Sequence, residues 1–363
     1  MNVANNRAFW RGKRVFITGH TGFKGGWLSL WLADMGAEIH GYALPPPTDP
    51  NFFTVTGLES RLADHTLADL RDSEALACAM RAARPEIVLH LAAQPLVRYS
   101  YVAPAETYAV NVMGTVNLLE AVRQTSSIKA VVNVTTDKCY DNREWVWPYR
   151  ENEAMGGADP YSSSKACSEL VTAAYRASFL NAAGIHLASA RAGNVIGGGD
   201  WALDRLIPDF LRALDAKRTL NIRSPLATRP WQHVLEPLAG YLLLAEKLYT
   251  QGAEYAEAWN FGPDDNDAKQ VGWIVEHLCN QVPDARWQCD TLSSPQSQPH
   301  EANTLKLDSS KAKSRLGWQP RWNLPIALDR TLEWHRAWCT GADMAAVSLS
   351  QIKTYEAVIA ESA

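Results

Sequence analysis

Tyr161 and Lys165 stand four residues apart in the run Tyr161-Ser162-Ser163-Ser164-Lys165. On a helix, residues at that spacing share a face, so a phenol and an ammonium point the same way. A free phenol ionises near pH 10 (about 10 in model peptides), and a neighbouring cation favours the phenolate, which then accepts the proton of an alcohol as its hydride leaves. A second chemical segment, Thr136-Asp137-Lys138-Cys139-Tyr140, places an acid beside a base just after a β-branched run. A third, Gly19-His20-Thr21-Gly22-Phe23-Lys24-Gly25, follows the run Val15-Phe16-Ile17-Thr18 and opens a helical stretch. Glycines there let the backbone turn tightly and approach a pyrophosphate, while the helix start offers free N–H groups to the anion.

Those residues need elements to hold them. Val15 to Thr18, a helix from about Gly25 to Met35, and Glu38 to Tyr42 read as a β-α-β unit. Strands follow at Ile87 to Leu91, Ala130 to Thr135 and His186 to Arg191, separated by helices near Asp72 to Ala83, Ala105 to Gln124 and Tyr161 to Asn181. Such alternation predicts an α/β fold, a doubly wound parallel Rossmann sheet covered on both faces. Beyond Arg191, Gly197-Gly198-Gly199 and prolines 208, 225, 230 and 237 break the pattern into a second, smaller mixed α/β substrate domain. Leu238 to Leu248 as a helix and Ala258 to Phe261 as a strand are expected to return to the first. The domains are therefore read as 1–195 with 235–262 returning, and 196–234 with 263–363.

Composition narrows the function classes. In 363 residues, 35 Lys and Arg face 39 Asp and Glu, for a net charge of −4, so there is no electrostatic footprint for nucleic acid. No apolar run approaches the roughly 18 residues of a membrane span, and Arg11, Lys13 and Arg14 lead into a short strand instead of a signal sequence. A cytoplasmic protein without membrane partners is expected. The 6 cysteines lack C-x-x-C spacing, so neither a disulfide framework nor a metal site is indicated. The 14 Trp read as core packing or a stacking wall.

The G-x-x-G-x-x-G spacing, Tyr161 with Lys165, the strand ending Thr135-Thr136, His90-Leu91-Ala92-Ala93 and Asn111-Val112-Met113-Gly114-Thr115 together resemble the extended short-chain dehydrogenase/reductase family over nearly the whole chain. The resemblance implies NAD, bound by Gly19, His20, Gly22, Phe23, Lys24, Gly25, Asp69, Leu70, Leu91, Ala92, Ala93, Asn111, Thr135, Tyr161 and Lys165. Tyr42-Ala43-Leu44-Pro45 offers neither an acid for the adenosine ribose nor an Arg for a 2′-phosphate, so NADP stays open. In the family's nucleotide-sugar 4,6-dehydratases the residue after the active-site Thr is an Asp that protonates the departing C6 hydroxyl, followed by a Glu that removes the C5 proton. Here Lys138 follows Asp137, which looks like the CDP-glucose branch of these enzymes, and Arg229-Pro230-Trp231-Gln232-His233-Val234-Leu235-Glu236-Pro237 is similar to a stretch of that branch.

The resemblance thus implies a hydro-lyase that oxidises C4, eliminates water across C5 and C6 and returns the hydride to C6, in deoxysugar biosynthesis of the O-antigen, lipopolysaccharide type. Thr136, Asp137, Lys138, Tyr161 and Lys165 would be catalytic, and Asp137 and Lys138 must both work away from their usual charge states. Asn194, Arg205 and Arg229 match positions that contact the diphosphate and base of a nucleotide sugar; Arg223, His300 and Glu301 are further wall candidates. Arginine suits the task through its fork of donors. Another nucleotide, a C4 epimerase and a catalytically silent NAD(P) sensor are the alternatives. Family members pair the helices near Ala105 to Gln124 and Tyr161 to Asn181 across a two-fold axis. Ala109, Val112, Val116 and Leu119 give the first an apolar face, so a homodimer or homotetramer is expected.

Overall fold

The computed structural model describes residues 7–222, 224–283, 285–289 and 304–361. In chain order, β1 (Arg14–Thr18), α1 (Phe23–Asp34), β2 (Glu38–Ala43), β3 (Asp64–Leu67), α2 (Ser73–Ala83), β4 (Ile87–His90), α3 (Gly114–Arg123), β5 (Ala130–Val134), α4 (Pro160–Tyr175) and β6 (His186–Ala192) alternate strand and helix, with only the short helical turns Phe52–Val55 and Leu58–Arg61 between β2 and β3. There follow β7 (Asn194–Ile196), α5 (Leu206–Asp215), β8 (Leu220–Ile222), β9 (Thr228–His233), α6 (Leu235–Gln251) and β10 (Ala258–Phe261). Last come β11 (Ala268–Gln270), α7 (Val271–Gln281), β12 (Trp287–Cys289), α8 (Leu324–Cys339) and α9 (Met344–Glu361).

The large sheet runs β10-β6-β5-β4-β1-β2-β3 with every pairing parallel. Its order reverses between β1 and β4, the topological switch point outside which α/β proteins bind ligands. Alternation along each strand divides the core. Val15, Ile17, Ile39, Leu89, Val132 and Ala190 pack on one face under α1 and α6, while Phe16, Val88, Val131 and Leu187 pack on the other under α2 and α3. Trp27 and Trp31 of α1 are fully buried in the first layer, which α9 joins through Ile352 and Tyr355.

A smaller mixed assembly stands beyond the carboxyl ends of these strands. It comprises the β11-β9-β7 sheet, the β12-β8 pair, and a core of α5, α7 and α8 side chains including Phe210, Ile274 and Leu328. Two expected helices end differently from the sequence reading. The stretch expected over Ala105 to Gln124 is divided into Pro104–Tyr108, a π-helical turn Ala109–Met113, and α3; α4 likewise gives way at Arg176–Leu180 to a π turn. No helix among the described residues is long and apolar enough to cross a membrane.

Candidate active site

A cavity of about 1120 Å³ opens along the carboxyl ends of β1 to β6 and continues to the wall made by β7, α5, β8 and β9. At its first end lies the glycine turn. Gly19 has a φ of +80°, and a Cβ there would come within 2.7 Å of Ala92 N; a Cβ on Gly25 would come within 2.0 Å of Gly19 O. The turn tolerates no side chain at either position, and the opening amides of α1, which a helix cannot satisfy internally, are brought close to whatever anion the turn receives. Across the switch point, Thr18 Oγ1 sits 2.6 Å from His90 Nδ1 and accepts from Leu91 N and Ala92 N, both at 3.2 Å, so the loop after β4 is pinned to β1.

Most of the expected dinucleotide residues line this space: Gly19, Gly22, Phe23, Lys24, Gly25, Asp69, Leu70, Leu91, Ala92, Ala93, Thr135, Tyr161 and Lys165. Two do not. The His20 ring is buried against Phe53 and His65, with His20 Nε2 3.3 Å from His65 Nδ1, and burial drops its pKa to about 4. Asn111 instead supports the loop after β4. Its side chain accepts from Gln94 N at 2.8 Å and donates to Gln94 O and, at 2.9 Å, to Ser164 Oγ of α4. Asp69 faces the cavity, but Arg71 clamps its carboxylate, which is held below its usual pKa by that contact; Asp72, three residues on, caps α2.

Tyr161, Lys165, Thr136, Asp137 and Lys138 come together at the middle of the cavity. Asp159 caps α4, accepting from Ser162 N at 2.9 Å, and so starts the helix one residue before Tyr161. Lys165, one turn on, donates to Val134 O at 3.4 Å. Burial pushes the Tyr161 phenol up to about 12, with Thr136 and Arg205 pulling it back. Burial also takes Lys165 down to about 8, against the pull of Glu169. The expected lowering of the phenol by Lys165 is therefore opposed here: desolvation outweighs it, and the nearby cation that acts on Tyr161 is Arg205.

Asp137 is 1% exposed. Its Oδ1 accepts from Thr136 Oγ1 at 3.0 Å and lies 3.9 Å from Lys138 Nζ, whereas Oδ2 is buried without a partner among the described residues. A buried carboxylate oxygen left without a donor is costly, and an incoming hydroxyl would satisfy it. Lys138 lines the cavity with its side chain 27% exposed, open to a ligand.

Beneath this centre runs a network that sequence reading missed. Glu169 and Arg191 form a buried fork, Nε to Oε1 at 2.9 Å and NH2 to Oε2 at 2.8 Å, and Glu169 also accepts from Thr135 and Ser189. The signal was present: Tyr161, Lys165 and Glu169 repeat at four-residue spacing on one helix face.

At the far wall, Asn194, Arg205 and Arg229 all line the cavity. Arg205 begins α5 and donates from NH1 to Asp200 Oδ2 at 2.8 Å. The loop carrying Asp200 is fastened by Trp27 Nε1, which donates to Gly198 O at 2.9 Å. Asp200, five residues before its Arg, is a second residue the sequence reading missed. Arg223, His300 and Glu301 lie outside the described residues. Lys24 faces Arg205, Lys165 and Lys138 as well as Asp137; burial and those cations lower its pKa to about 7.

The GDP-mannose 4,6 dehydratase family model matches residues 16–331. A CDP-glucose 4,6-dehydratase of Salmonella typhimurium is 57% identical over 356 residues, covering 96% of this chain and 98% of that protein. A probable dTDP-glucose 4,6-dehydratase of Sinorhizobium fredii is 25% identical over 341 residues, 89% of this chain and 92% of its own. Among solved structures, the dTDP-glucose 4,6-dehydratase of Bacillus anthracis in complex with NAD aligns with a TM-score of 0.72 at 20% identity, over 89% of this chain and 96% of that one. The UDP-glucose 4-epimerase of Thermotoga maritima with UDP-glucose aligns at 0.75 and 22% identity, over 90% and 99%. The structural matches establish the Rossmann fold, and the family model together with the 57% identical relative establish that the chain belongs to the nucleotide-sugar 4,6-dehydratases and is a hydro-lyase.

Proposed function

We propose that the protein converts CDP-D-glucose to CDP-4-dehydro-6-deoxy-D-glucose with NAD as its resident cofactor. The observation that carries this reading is the Asp137-Lys138 pair, set in one cavity with Tyr161 in a chain 57% identical to a CDP-glucose 4,6-dehydratase. The side-chain-free glycine turn fits a dinucleotide diphosphate, and the cavity, at about 1120 Å³, exceeds the roughly 300–1,000 Å³ that one drug-sized ligand takes. When bound, the nicotinamide accepts hydride from C4 of the sugar and returns it to C6, so the overall reaction is redox neutral.

The residues divide the proton transfers. Tyr161, whose burial favours the neutral phenol, would accept the C4 hydroxyl proton as the phenolate that the positive charge of a bound oxidised nicotinamide favours, oriented by Thr136. The resulting C4 carbonyl makes the C5 hydrogen acidic, and Lys138 removes it. Asp137, whose Oδ2 is free to meet a hydroxyl, protonates the C6 oxygen, and water leaves; C5 is then reprotonated by Lys138. Because Asp137 and Lys138 are neighbours, both act on the one C5–C6 unit of the sugar. Arg205 and Arg229 hold the diphosphate and Asn194 the adjoining part of the nucleotide. The enzyme acts in the cytoplasm as a homodimer or homotetramer, and its product feeds deoxysugar biosynthesis.

Incubation with CDP-, dTDP- and UDP-glucose, followed by base treatment and ultraviolet reading of the 4-keto-6-deoxy product, tests this reading. Product from the CDP sugar well above the other two is expected. Deuterium at C4 of the substrate should reappear at C6 of the product. A stronger response to another nucleotide would overturn the base assignment, and label lost to solvent would overturn the internal return of hydride.

A further inference from the structure

The carboxyl ends of α5 and α8 meet at a cluster that the dehydratase chemistry does not use. Asp215 closes α5; His335 and Cys339, four residues apart, share one face of the end of α8. His335 Nε2 lies 2.9 Å from Asp215 Oδ1 and 3.5 Å from Cys339 Sγ, and Cys339 Sγ lies 3.9 Å from Asp215 Oδ1. A tetrahedral zinc ion with bonds of about 2.0–2.3 Å to nitrogen, oxygen and sulfur needs the corresponding edges near 3.4, 3.6 and 3.6 Å. Each observed edge is within about 0.5 Å of that figure, and the adjustment falls on Asp215 and Cys339, which are exposed, while His335 is buried.

Electrostatics favour a cation at the same point. Two helices present their carboxyl ends there, each with the partial negative charge of its unsatisfied carbonyls. Arg212, which lines the small cleft beside Asp215 and His335, is turned away to Asp209 and the carbonyls of Trp201 and Ala202. We propose that Asp215, His335 and Cys339 form a binding site for a zinc-class divalent ion, with the fourth position left to water. One imidazole, one thiolate and one carboxylate suit a borderline-soft ion, whereas magnesium and calcium take oxygen ligands. On binding, the Cys339 thiol loses its proton to solvent, and the three residues exchange hydrogen bonds among themselves for bonds to the ion. The ion ties α5 to α8. Since α5 begins at Arg205 and its first turn lines the cavity about 15 Å away along the helix, the tie steadies the nucleotide wall.

The test uses the full-length protein, stripped with a chelator and titrated with cobalt(II) and with zinc(II). One equivalent of cobalt should give the intense visible bands of a tetrahedral site and a thiolate charge-transfer band, and zinc should raise Tm. Cys339→Ser should lose the charge-transfer band and bind zinc about tenfold or more weakly while its metal-free Tm matches the parent. Because Cys78 and Cys289 are also exposed, a Cys78→Ser/Cys289→Ser variant is the control and should keep the band. A band that survives in Cys339→Ser or disappears in the control, or the absence of saturable zinc binding at micromolar concentration, would overturn the proposal.

Discussion

The two ends of the active-site cavity are built on different terms. At the cofactor end, the side chains come from short contiguous segments at the carboxyl ends of adjacent parallel strands, and buried hydrogen bonds tie those segments together: Thr18 with His90, Asn111 with Gln94 and Ser164, Glu169 with Arg191. At the nucleotide end, Asn194, Asp200, Arg205 and Arg229 come from two short strands, of three and six residues, a loop and a helix start, and Arg205 keeps 33% of its side chain exposed. The fold itself fixes the first end, because Thr18 and Asn111 also satisfy backbone groups of the loop after β4, and Lys165 a carbonyl of β5. The second end is shaped for its ligand and bears less of the fold. Substitutions at the first should therefore act nearly all or none, and those at the second by degrees.

The largest effects are expected at the centre. Tyr161→Phe removes the group that accepts the C4 proton, so turnover should fall by about 10²–10⁴-fold or more, with no reduced nicotinamide appearing when substrate is mixed in. Lys138→Met should lose turnover to a similar extent for a different reason. Oxidation proceeds, elimination stalls, and absorbance in the reduced nicotinamide band rises and stays. Both are read by stopped-flow absorbance at saturating NAD. If Lys138→Met turned over normally, or failed to oxidise substrate with cofactor demonstrably bound, another group must remove the C5 proton.

A smaller, graded effect tests the other end. Arg205→Ala removes a charge-assisted partner of the diphosphate, a contact of about 1.5–3 kcal/mol, so KM for the nucleotide sugar should rise by about 10- to 100-fold with kcat changed far less. Asp200→Asn should follow in the same direction more weakly, since it loosens Arg205 without removing it. If kcat fell in Arg205→Ala as far as in Tyr161→Phe, the two ends would not be separable, and Arg205, which acts on the phenol's ionisation, would have to be counted with the centre.

The same contrast explains what could be read before the structure. The glycine turn, the strand ends and the Tyr161–Lys165 spacing are local patterns, and the parallel sheet follows from runs such as Ile87 to Leu89 that are buried on both faces. β3 is not such a buried run: Asp64-His65-Thr66-Leu67 lies at the sheet edge with its side chains partly in water. β8 and β12 exist by pairing with each other, Leu220 opposite Trp287, a register that no local pattern encodes. Cysteine spacing likewise carries no trace of the Asp215, His335 and Cys339 cluster, since Asp215 reaches the other two only through the packing of α5 on α8. His20 shows the opposite failure: it sits inside a true motif, yet its ring turns into the core.

Lys24 belongs to both ends at once, and the smallest predicted effect concerns it. It is part of the glycine turn, yet its charge is opposed by Arg205 of the nucleotide wall as well as by Lys165 and Lys138. Its pKa is lowered to about 7, so it is largely neutral above that pH and charged below it. A diphosphate binds the charged form more tightly. Affinity should therefore rise as pH falls from 8.5 through 7 toward 6, by at most about tenfold per pH unit above the pKa and levelling below it. Tryptophan fluorescence reports binding, because Trp201 lines the cavity, and NAD and CDP are titrated separately to learn which diphosphate Lys24 serves. Lys165, with a pKa near 8, titrates in the same window, so the informative quantity is the difference between the parent and Lys24→Met. That difference should widen toward low pH for one ligand. Equal widening for both would mean that Lys24 sets the potential of the whole cavity; parallel profiles for both would mean that its charge serves neither end.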